Sequence, residues 1–295
     1  ISFSIHEGDK IGVIGVNGTG KSTLLKIIAG VDQADSGSIV TMNGMRIGYL
    51  SQSPVFVDGT TVLQQVFRGE NPQLALVREY EETMAALAKT PEEERLVKRA
   101  AELAEKMDKA EAWSLESEAK TILTKLGISD FGQTVETLSG GQKKRVALAA
   151  ALIAPVDLLI LDEPTNHIDN DTVDWLEKHL EKYSKALLMV THDRYFLDRV
   201  ANRTLELEQG KLYSYQANYS KFLEMKAERE ELIAAGERKR QNFLRTELEW
   251  VRRGAQARST KQKARLQRFE EVSAIRAPEE KQSVELSSVG SRLGK

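Results

Sequence analysis

The chain has 295 residues, of which 41% are hydrophobic and 29% are charged. This balance supports a folded core and excludes a chain that is disordered throughout. The absence of cysteine excludes disulfide frameworks, thiolate metal sites and a cysteine nucleophile. We expect a cytoplasmic protein, because no segment resembles a signal peptide and the longest apolar run, residues 146–156, is too short to span a bilayer.

The net charge of −2 hides a strong segregation of charge. Residues 238–268 contain eleven Lys and Arg residues against two acidic ones, a local charge of +9, which leaves −11 for the rest of the chain. Such a segment is typical of a protein that binds a polyanion. The alternative is an ordinary solvated, charged helix.

The first 207 residues alternate between short apolar segments and helical patterns, which predicts an α/β fold with a parallel sheet. We predict strands at 1–6, 10–14, 38–41, 46–51, 157–161 and 186–191, and helices at 22–29, 143–154 and 172–183. Residues from about 71 are rich in Ala, Glu, Lys and Leu, which predicts a helical insertion at about 71–155 within this domain. Pro91 should separate two of its helices, and Gly127 should end the Ala- and Glu-rich stretch.

The region that follows is helical in pattern and basic in charge. We predict a helical hairpin with an antiparallel seam, divided near Gly254. The expected domains are therefore 1–215, a basic hairpin at 216–276, and a linker at 277–295 toward a further domain. The sequence begins at Ile1 inside a predicted strand, so we interpret it as a piece of a longer protein.

A glycine-rich loop follows the second predicted strand. Gly15-Val16-Asn17-Gly18-Thr19-Gly20-Lys21-Ser22 fits the pattern G-x-x-x-x-G-K-[ST], in which backbone N–H groups surround phosphate oxygens. Lys21 would reach the β- and γ-phosphates, and Ser22 would ligate Mg²⁺. The expected nucleotide-binding residues here are Gly15, Asn17, Gly18, Thr19, Gly20, Lys21, Ser22 and Thr23. The alternatives are a plain glycine-rich turn or a dinucleotide fingerprint, whose glycine order fits worse.

Further polar residues follow other predicted strands. Asp162, after Leu158-Leu159-Ile160-Leu161, would hold Mg²⁺ through its water shell, and Glu163 could polarise the attacking water. The alternative is that Asp162 caps the helix near Thr172 and Glu163 is a surface acid. His192 could hydrogen-bond a γ-phosphate, and Gln52 could sense the metal or the water.

These residues divide into two predicted roles. The expected catalytic residues are Glu163, His192 and Gln52, and the expected metal-binding residues are Ser22, Gln52 and Asp162. The other histidines, at positions 6, 167 and 179, lack metal-ligand spacing, and we expect them to be structural.

Leu138-Ser139-Gly140-Gly141-Gln142 precedes a predicted helix. Ser139 should cap that helix, and the glycines would leave its positive N-terminus open to an anion. Ser139, Gly140, Gly141 and Gln142 are therefore candidates for a second anion site, although a plain capped helix is the alternative. Two separate anion sites suggest a nucleotide held between two such domains.

Together these segments resemble the ATP-binding cassette superfamily. In that family, residues 15–22 correspond to the Walker A loop of a P-loop NTPase, Gln52 to the Q-loop, and residues 138–142 to the signature motif. Residues 158–163 are similar to Walker B with its catalytic glutamate, 168–169 to the D-loop, and His192 to the switch histidine. The resemblance implies Mg²⁺-dependent binding and hydrolysis of ATP.

Two further segments, 163–169 and 191–197, resemble the ABC-F branch, and the basic hairpin resembles its interdomain linker, closest to the Uup-like group. This implies action on the ribosome, with tRNA or rRNA contacted by the hairpin. The candidate contacts are Arg252, Arg253, Arg258, Lys261, Lys263 and Arg265.

The resemblance also implies a second cassette that completes each ATP site. Without it, a head-to-tail homodimer could form, and the chain alone should be weakly active. The residue that stacks on adenine would precede Ile1. An ATP-binding subunit of a membrane transporter, or a DNA-associated ATPase, shares every cassette motif. The basic hairpin argues against the transporter, and we expect no membrane partner.

Overall fold

A computed structural model describes residues 1–52, 54–68, 72–110, 112–166, 168–252 and 260–274. The chain divides into two compact units, Ile1–Leu223 and Glu224–Lys295. The division lies beyond position 215 because the start of a long helix still packs on the first unit. Phe222 is 2% exposed there, and its ring meets that of Tyr215 edge to face at 5.0 Å. The predicted linker at 277–295 lies outside the described residues.

The first unit is built on one sheet with the strand order β2-β3-β4-β1-β5-β6. Every neighbouring pair is parallel except β5 and β6, which are antiparallel. The central strands β3 and β4 are buried along their whole length, which explains their continuous apolar sequences. This confirms the predicted α/β class. The strands are β1 (Lys10–Ile14), β2 (Ile47–Leu50), β3 (Leu158–Asp162), β4 (Ala186–Val190), β5 (Arg203–Glu208) and β6 (Lys211–Tyr215).

Helices cover both faces of the sheet and form the insertion. One buried cluster lies on the side that faces α1, and a larger one joins the sheet to α6, α7, α8 and the inserted helices. The helices are α1 (Lys21–Ile28), α2 (Val62–Val66), α3 (Pro72–Lys89), α4 (Glu94–Lys109), α5 (Trp113–Lys125), α6 (Gly140–Ile153), α7 (Asn170–Glu181), α8 (Arg194–Val200), α9 (Tyr219–Arg252) and α10 (Thr260–Ala274).

The breaks in the inserted helices follow local chemistry. Pro91 lies between α3 and α4, as its fixed φ and missing N–H predict. After α5, Gly127 takes a φ of 72°, its N–H donates to the Thr124 carbonyl at 3.0 Å, and the Ile128 N–H donates to the Leu123 carbonyl at 2.9 Å. This pair of bonds is a Schellman cap, which needs a residue that tolerates positive φ. The predicted end at Gly127 is therefore confirmed.

Two predicted strands are wrong. Residues 1–6 and 38–41 form no strand, and no β partner completes their hydrogen bonds among the residues that the structure describes. Val40 is 91% exposed. The sequence prediction also lacked the hairpin of β5 and β6, whose turn places Gln209 at a φ of 49° and Gly210 at 73°, as a type I′ turn requires.

In the second unit, α9 and α10 pack against each other in antiparallel order. The Arg265 guanidinium binds both carboxylate oxygens of Glu247, at 2.6 and 3.0 Å. Arg240 donates to the Val272 carbonyl at 3.3 Å. Residues later in α9 therefore contact residues earlier in α10, which is the antiparallel order of a hairpin, and the predicted helical hairpin is confirmed.

Within the described ranges, no helix is long and apolar enough to cross a membrane.

Candidate functional site

The sheet topology brings four predicted site segments to one edge. Because β1 to β4 run parallel, their carboxyl ends meet at the same edge of the sheet. The glycine-rich loop follows β1, Gln52 follows β2, Asp162 ends β3, and His192 follows β4. The order β2-β3-β4-β1 makes these segments neighbours although the sequence separates them widely.

The glycine-rich loop joins β1 directly to α1. Gly20 is the N-cap of α1 with a φ of 91°, in the left-handed region that glycine adopts without strain. Gly15 is closely packed, since a Cβ there would lie 2.5 Å from the Leu207 carbonyl oxygen. The loop therefore holds a shape that side chains at these positions would disrupt, and it opens the N-terminus of α1 toward the sheet edge.

Lys21 folds back over this loop. Its ammonium group donates to the Gly15 carbonyl at 2.8 Å and to the Val16 carbonyl at 3.1 Å. The Thr19 hydroxyl also donates to the Val16 carbonyl, at 2.9 Å. These bonds position a positive charge at the mouth of the loop, where it can meet an anion. Three neighbouring residues are exposed, namely Asn17, Gly18 and Thr23.

Ser22 and Asp162 meet across the sheet edge. The Ser22 hydroxyl donates to the Asp162 carboxylate at 3.3 Å, and Asp162 is 3% exposed. Burial raises the pKa of Asp162, while the Ser22 hydrogen bond and the charges of Lys26 and Lys21 act in the opposite direction.

A hydroxyl and a carboxylate in contact are a fitting donor set for Mg²⁺, which takes one or two carboxylates and completes its shell with water and phosphate oxygens. The described residues contain no cluster of three His, Cys, Asp or Glu side chains that could hold a metal by themselves. The pair therefore suits a metal that is shared with a phosphate ligand better than a closed all-protein site.

Glu163 holds an uncommon conformation next to this pair. Its φ is 56°, in a region that non-glycine residues rarely adopt. Its side chain is 6% exposed, and its carboxylate lies 3.4 Å from the His192 Nε2 atom. The His192 backbone N–H also donates to it, at 3.4 Å. Burial raises the pKa of Glu163, although His192 opposes this shift. A poorly solvated carboxylate of this kind is a competent general base.

Gln52 shares a pocket of about 270 Å³ with both carboxylates. Lys144 of α6 also lines this pocket, and the sequence analysis missed it. Its position in the predicted helix was known, but the pattern of α6 gave no sign of which face turns toward the carboxylates. Gln52 itself is exposed, so a ligand in the pocket could contact it.

The signature segment forms a capped helix end. The Ser139 hydroxyl accepts from the Gln142 N–H at 3.3 Å, and the Gln142 side chain accepts from the Ser139 N–H at 2.9 Å. This capping box starts α6 at Gly140, earlier than the predicted start at position 143. None of residues 139–142 lines the pocket that holds Asp162. The structure therefore brings the other site segments together but leaves this one apart.

Asp169, and not Asp162, caps the helix near Thr172. Its carboxylate accepts from the Thr172 N–H at 2.9 Å and from the Thr172 hydroxyl at 3.0 Å. The alternative reading of Asp162 as a helix cap is therefore wrong.

The remaining histidines lie away from this edge or outside the description. His179 stacks on Trp175 at 5.1 Å, and burial lowers its pKa. His6 hydrogen-bonds Ser4 at 2.9 Å. His167 lies outside the described residues.

The candidate nucleic-acid contacts are only partly described. Arg252 ends α9, and Lys261 and Lys263 lie in α10; their side chains, with Arg253 and Arg258, lie outside the described residues. Arg265 is described, and its guanidinium is engaged with Glu247.

Comparisons with known proteins agree with this geometry. The family model described as "ABC transporter" matches residues 1–166, and a second model of the same description matches residues 205–286. The chain is 51% identical over its whole length to the "Uncharacterized ABC transporter ATP-binding protein YfmR" of Bacillus subtilis (strain 168), of which it covers 47%. It is 42% identical to the "Energy-dependent translational throttle protein EttA" of Mycobacterium tuberculosis (strain CDC 1551 / Oshkosh) and 37% identical to that of Escherichia coli (strain K12), again over 100% of the chain and 53% of each relative.

The chain thus spans about half the length of these curated relatives. A solved "Structure of ATP binding subunit of ABC transporter" shares the fold, with a TM-score of 0.53 and 20% identity over 72% of this chain and 81% of that one. The chain therefore belongs to the ABC transporter family of ATP-binding cassette proteins, and its relatives identify it as an ABC-F cassette.

Proposed function

We propose that this chain binds and hydrolyses ATP as one cassette of an ABC-F protein that acts on the ribosome. The observation that carries the proposal is the meeting of Lys21, Ser22, Asp162 and Glu163 at one sheet edge, with Ser22 and Asp162 in contact at 3.3 Å. Relatives named as translational throttle proteins favour translation over membrane transport as the setting.

Each residue at this edge has a distinct task in the proposed reaction. The N–H groups of the loop and the Lys21 ammonium bind the phosphates of ATP. Ser22 and Asp162 would hold Mg²⁺, with Gln52 near its water shell, and the ion would neutralise charge on the phosphate oxygens. Glu163 orients a water and accepts its proton as that water attacks the γ-phosphorus and ADP leaves. His192 supports the γ-phosphate beside Glu163.

A second cassette would complete this site. Residues 139–142, at the N-terminus of α6, do not line the pocket of Asp162. A Cβ added to Gly140 would meet no atom within 4 Å. An open helix N-terminus of this kind suits a phosphate held by another cassette. We therefore expect weak turnover from the chain alone, unless two copies pair head to tail.

The basic hairpin is the proposed RNA contact. The local charge of +9 in residues 238–268 favours the backbone of tRNA or rRNA, which basic side chains bind with little dependence on sequence. The Arg265 guanidinium is already engaged with Glu247. Arg252, Arg253, Arg258, Lys261 and Lys263 are thus the contacts on which the proposal depends most.

Equilibrium dialysis tests the nucleotide site. Labelled ATP should bind the chain in the presence of Mg²⁺, and Lys21→Ala should abolish most of this binding because it removes the charge over the loop. Lys211→Ala is the matched control, since Lys211 is exposed on β6. Equal ATP binding by wild type and Lys21→Ala would contradict the proposed site.

Ribosome binding by the full-length protein tests the hairpin. Changing Arg252, Arg258, Lys261 and Lys263 together to Gln should lower the affinity and flatten its dependence on salt, because fewer counterions are released on binding. The control is an equal change of four basic residues in α4, namely Arg95, Lys98, Lys106 and Lys109. Unchanged affinity, or a preference for duplex DNA over ribosomes, would contradict the RNA contact.

A further inference from the structure

Tyr49, in the edge strand β2, carries a buried hydroxyl group without a hydrogen-bond partner among the described residues. Buried polar groups in proteins are nearly always paired, because an unpaired one loses its bonds to water and gains nothing in return. Solvent in the apolar groove of about 820 Å³ beside β2 does not satisfy the group, since the oxygen itself is inaccessible although other Tyr49 atoms line that groove. We therefore expect the hydroxyl to form its hydrogen bond when the protein has bound its ligands.

The register of the sheet places Tyr49 beneath the proposed metal site. Tyr49 is paired with Ile160 of β3, and both belong to the apolar cluster on the α1 side of the sheet. Side chains two residues apart in a strand share a face, so Asp162 lies on that same side, one step nearer the carboxyl edge. Ser22, at the start of α1, meets Asp162 from this side.

The electrostatics agree with this placement. Burial raises the pKa of the Tyr49 phenol, and the negative charge of Asp162 raises it further. The phenol thus keeps its proton close to a carboxylate whose only hydrogen-bond donor given by the described residues is the Ser22 hydroxyl, at 3.3 Å. An ionised carboxylate has room for several donors on its two oxygens.

We propose that Tyr49 is a positioning residue of the nucleotide and magnesium site. When Mg²⁺ and ATP are bound, its hydroxyl donates a hydrogen bond to the Asp162 carboxylate, directly or through one buried water. This bond fixes the orientation of the carboxylate for the metal. Groups that hold a metal ligand in place in this manner govern metal affinity although they do not touch the metal. The inference rests on the proposed function, because it concerns the same ATP site.

The test is a Mg²⁺ titration of ATP binding by the full chain carrying Tyr49→Phe. The half-saturating Mg²⁺ concentration should rise about ten-fold, the lower range for loss of such a supporting hydrogen bond. Binding of ATP without Mg²⁺ should stay unchanged, because the loop and Lys21 remain intact. The melting temperature of the metal-free variant should not fall, since Phe keeps the packing of the ring and removes a hydroxyl that has no partner among the described residues.

Tyr183→Phe is the matched control. Tyr183 is also a partly buried tyrosine whose pKa is raised by burial and by a nearby aspartate, Asp157, but that aspartate precedes β3 and so lies at the opposite edge of the sheet. This control should leave the Mg²⁺ dependence unchanged. If Tyr49→Phe also leaves it unchanged while both proteins bind ATP, the inference is overturned and the proposed function stands. If the wild-type chain takes up no ATP, the proposed function fails and the inference fails with it.

Discussion

Replacing Glu163 by Gln separates the catalytic role of this residue from its effect on stability. Gln has nearly the same shape and keeps the backbone at the observed φ of 56°, so the change removes a charge and little else. The charge is poorly accommodated in the free protein, because the carboxylate is 6% exposed and its contacts with His192 are long, at 3.4 Å. We therefore expect Glu163→Gln to abolish turnover and to stabilise the protein.

The pH dependence of the stabilisation follows from the raised pKa of Glu163. The folded protein holds this proton more tightly than the unfolded chain, whose carboxyl has the ordinary pKa of 4.5. The charged form thus penalises only the folded state, and the penalty grows as the pH rises from 4.5 through the folded pKa. We therefore expect a gain in the free energy of unfolding that is largest at neutral pH and disappears below about pH 4.5.

Two assays measure the effects. Thermal unfolding without nucleotide should show a higher melting temperature at neutral pH, by about 2–4 °C for each kcal/mol gained in a unit of this size, and almost no difference at about pH 4. Phosphate release by the full-length protein should fall by at least about a hundred-fold, as expected for loss of a general base. Glu94→Gln, an exposed change in α4, should affect neither. Unchanged turnover, or a melting temperature that falls, would refute this account of Glu163.

Two more predictions concern the loop and the hairpin. Gly15→Ala should destabilise the first unit by about 1–3 kcal/mol in denaturant unfolding and weaken ATP binding, because its Cβ would lie 2.5 Å from a backbone carbonyl oxygen. Gly140→Ala is the control, since the space there is open, and it should leave stability nearly unchanged. Equal effects of the two variants would contradict the packing argument. Arg265→Glu should lower the helicity measured by circular dichroism, because it places a second negative charge against Glu247. Adding Glu247→Arg should restore the helicity. A double variant that stays less helical than the wild type would show that this pair does not align the hairpin.

The sequence predicted which polar segments meet at the sheet edge better than it predicted the whole sheet. Walker-type segments can be recognised from the local sequence. A strand that is buried on both faces is a continuous apolar run, and the first polar residue after that run marks the edge of the sheet. Asp162 and His192 are of this kind, since β3 and β4 are buried throughout. The parallel order then makes them neighbours without any further information from the chain.

Other parts could not be predicted because they depend on partners distant in sequence. Residues 38–41 have a strand-like composition, yet no strand in the described part of the chain pairs with them. Lys144 lines the pocket that holds Asp162 and Glu163, a contact that depends on how α6 packs against segments distant in sequence. The sequence likewise could not predict that the Tyr49 hydroxyl has no hydrogen-bond partner among the described residues, because an aromatic residue in a strand predicts only packing.

Hydrogen exchange of the chain with and without Mg²⁺ and ATP tests the central claim most directly, because it locates the ligand on the backbone. The account predicts slower amide exchange in residues 15–23 and around 162–163 and 192, with residues 225–245 of α9 unchanged. Nucleotide-dependent protection that spares residues 15–23, or that appears only elsewhere, would contradict the claim that this edge of the sheet binds the phosphates of ATP.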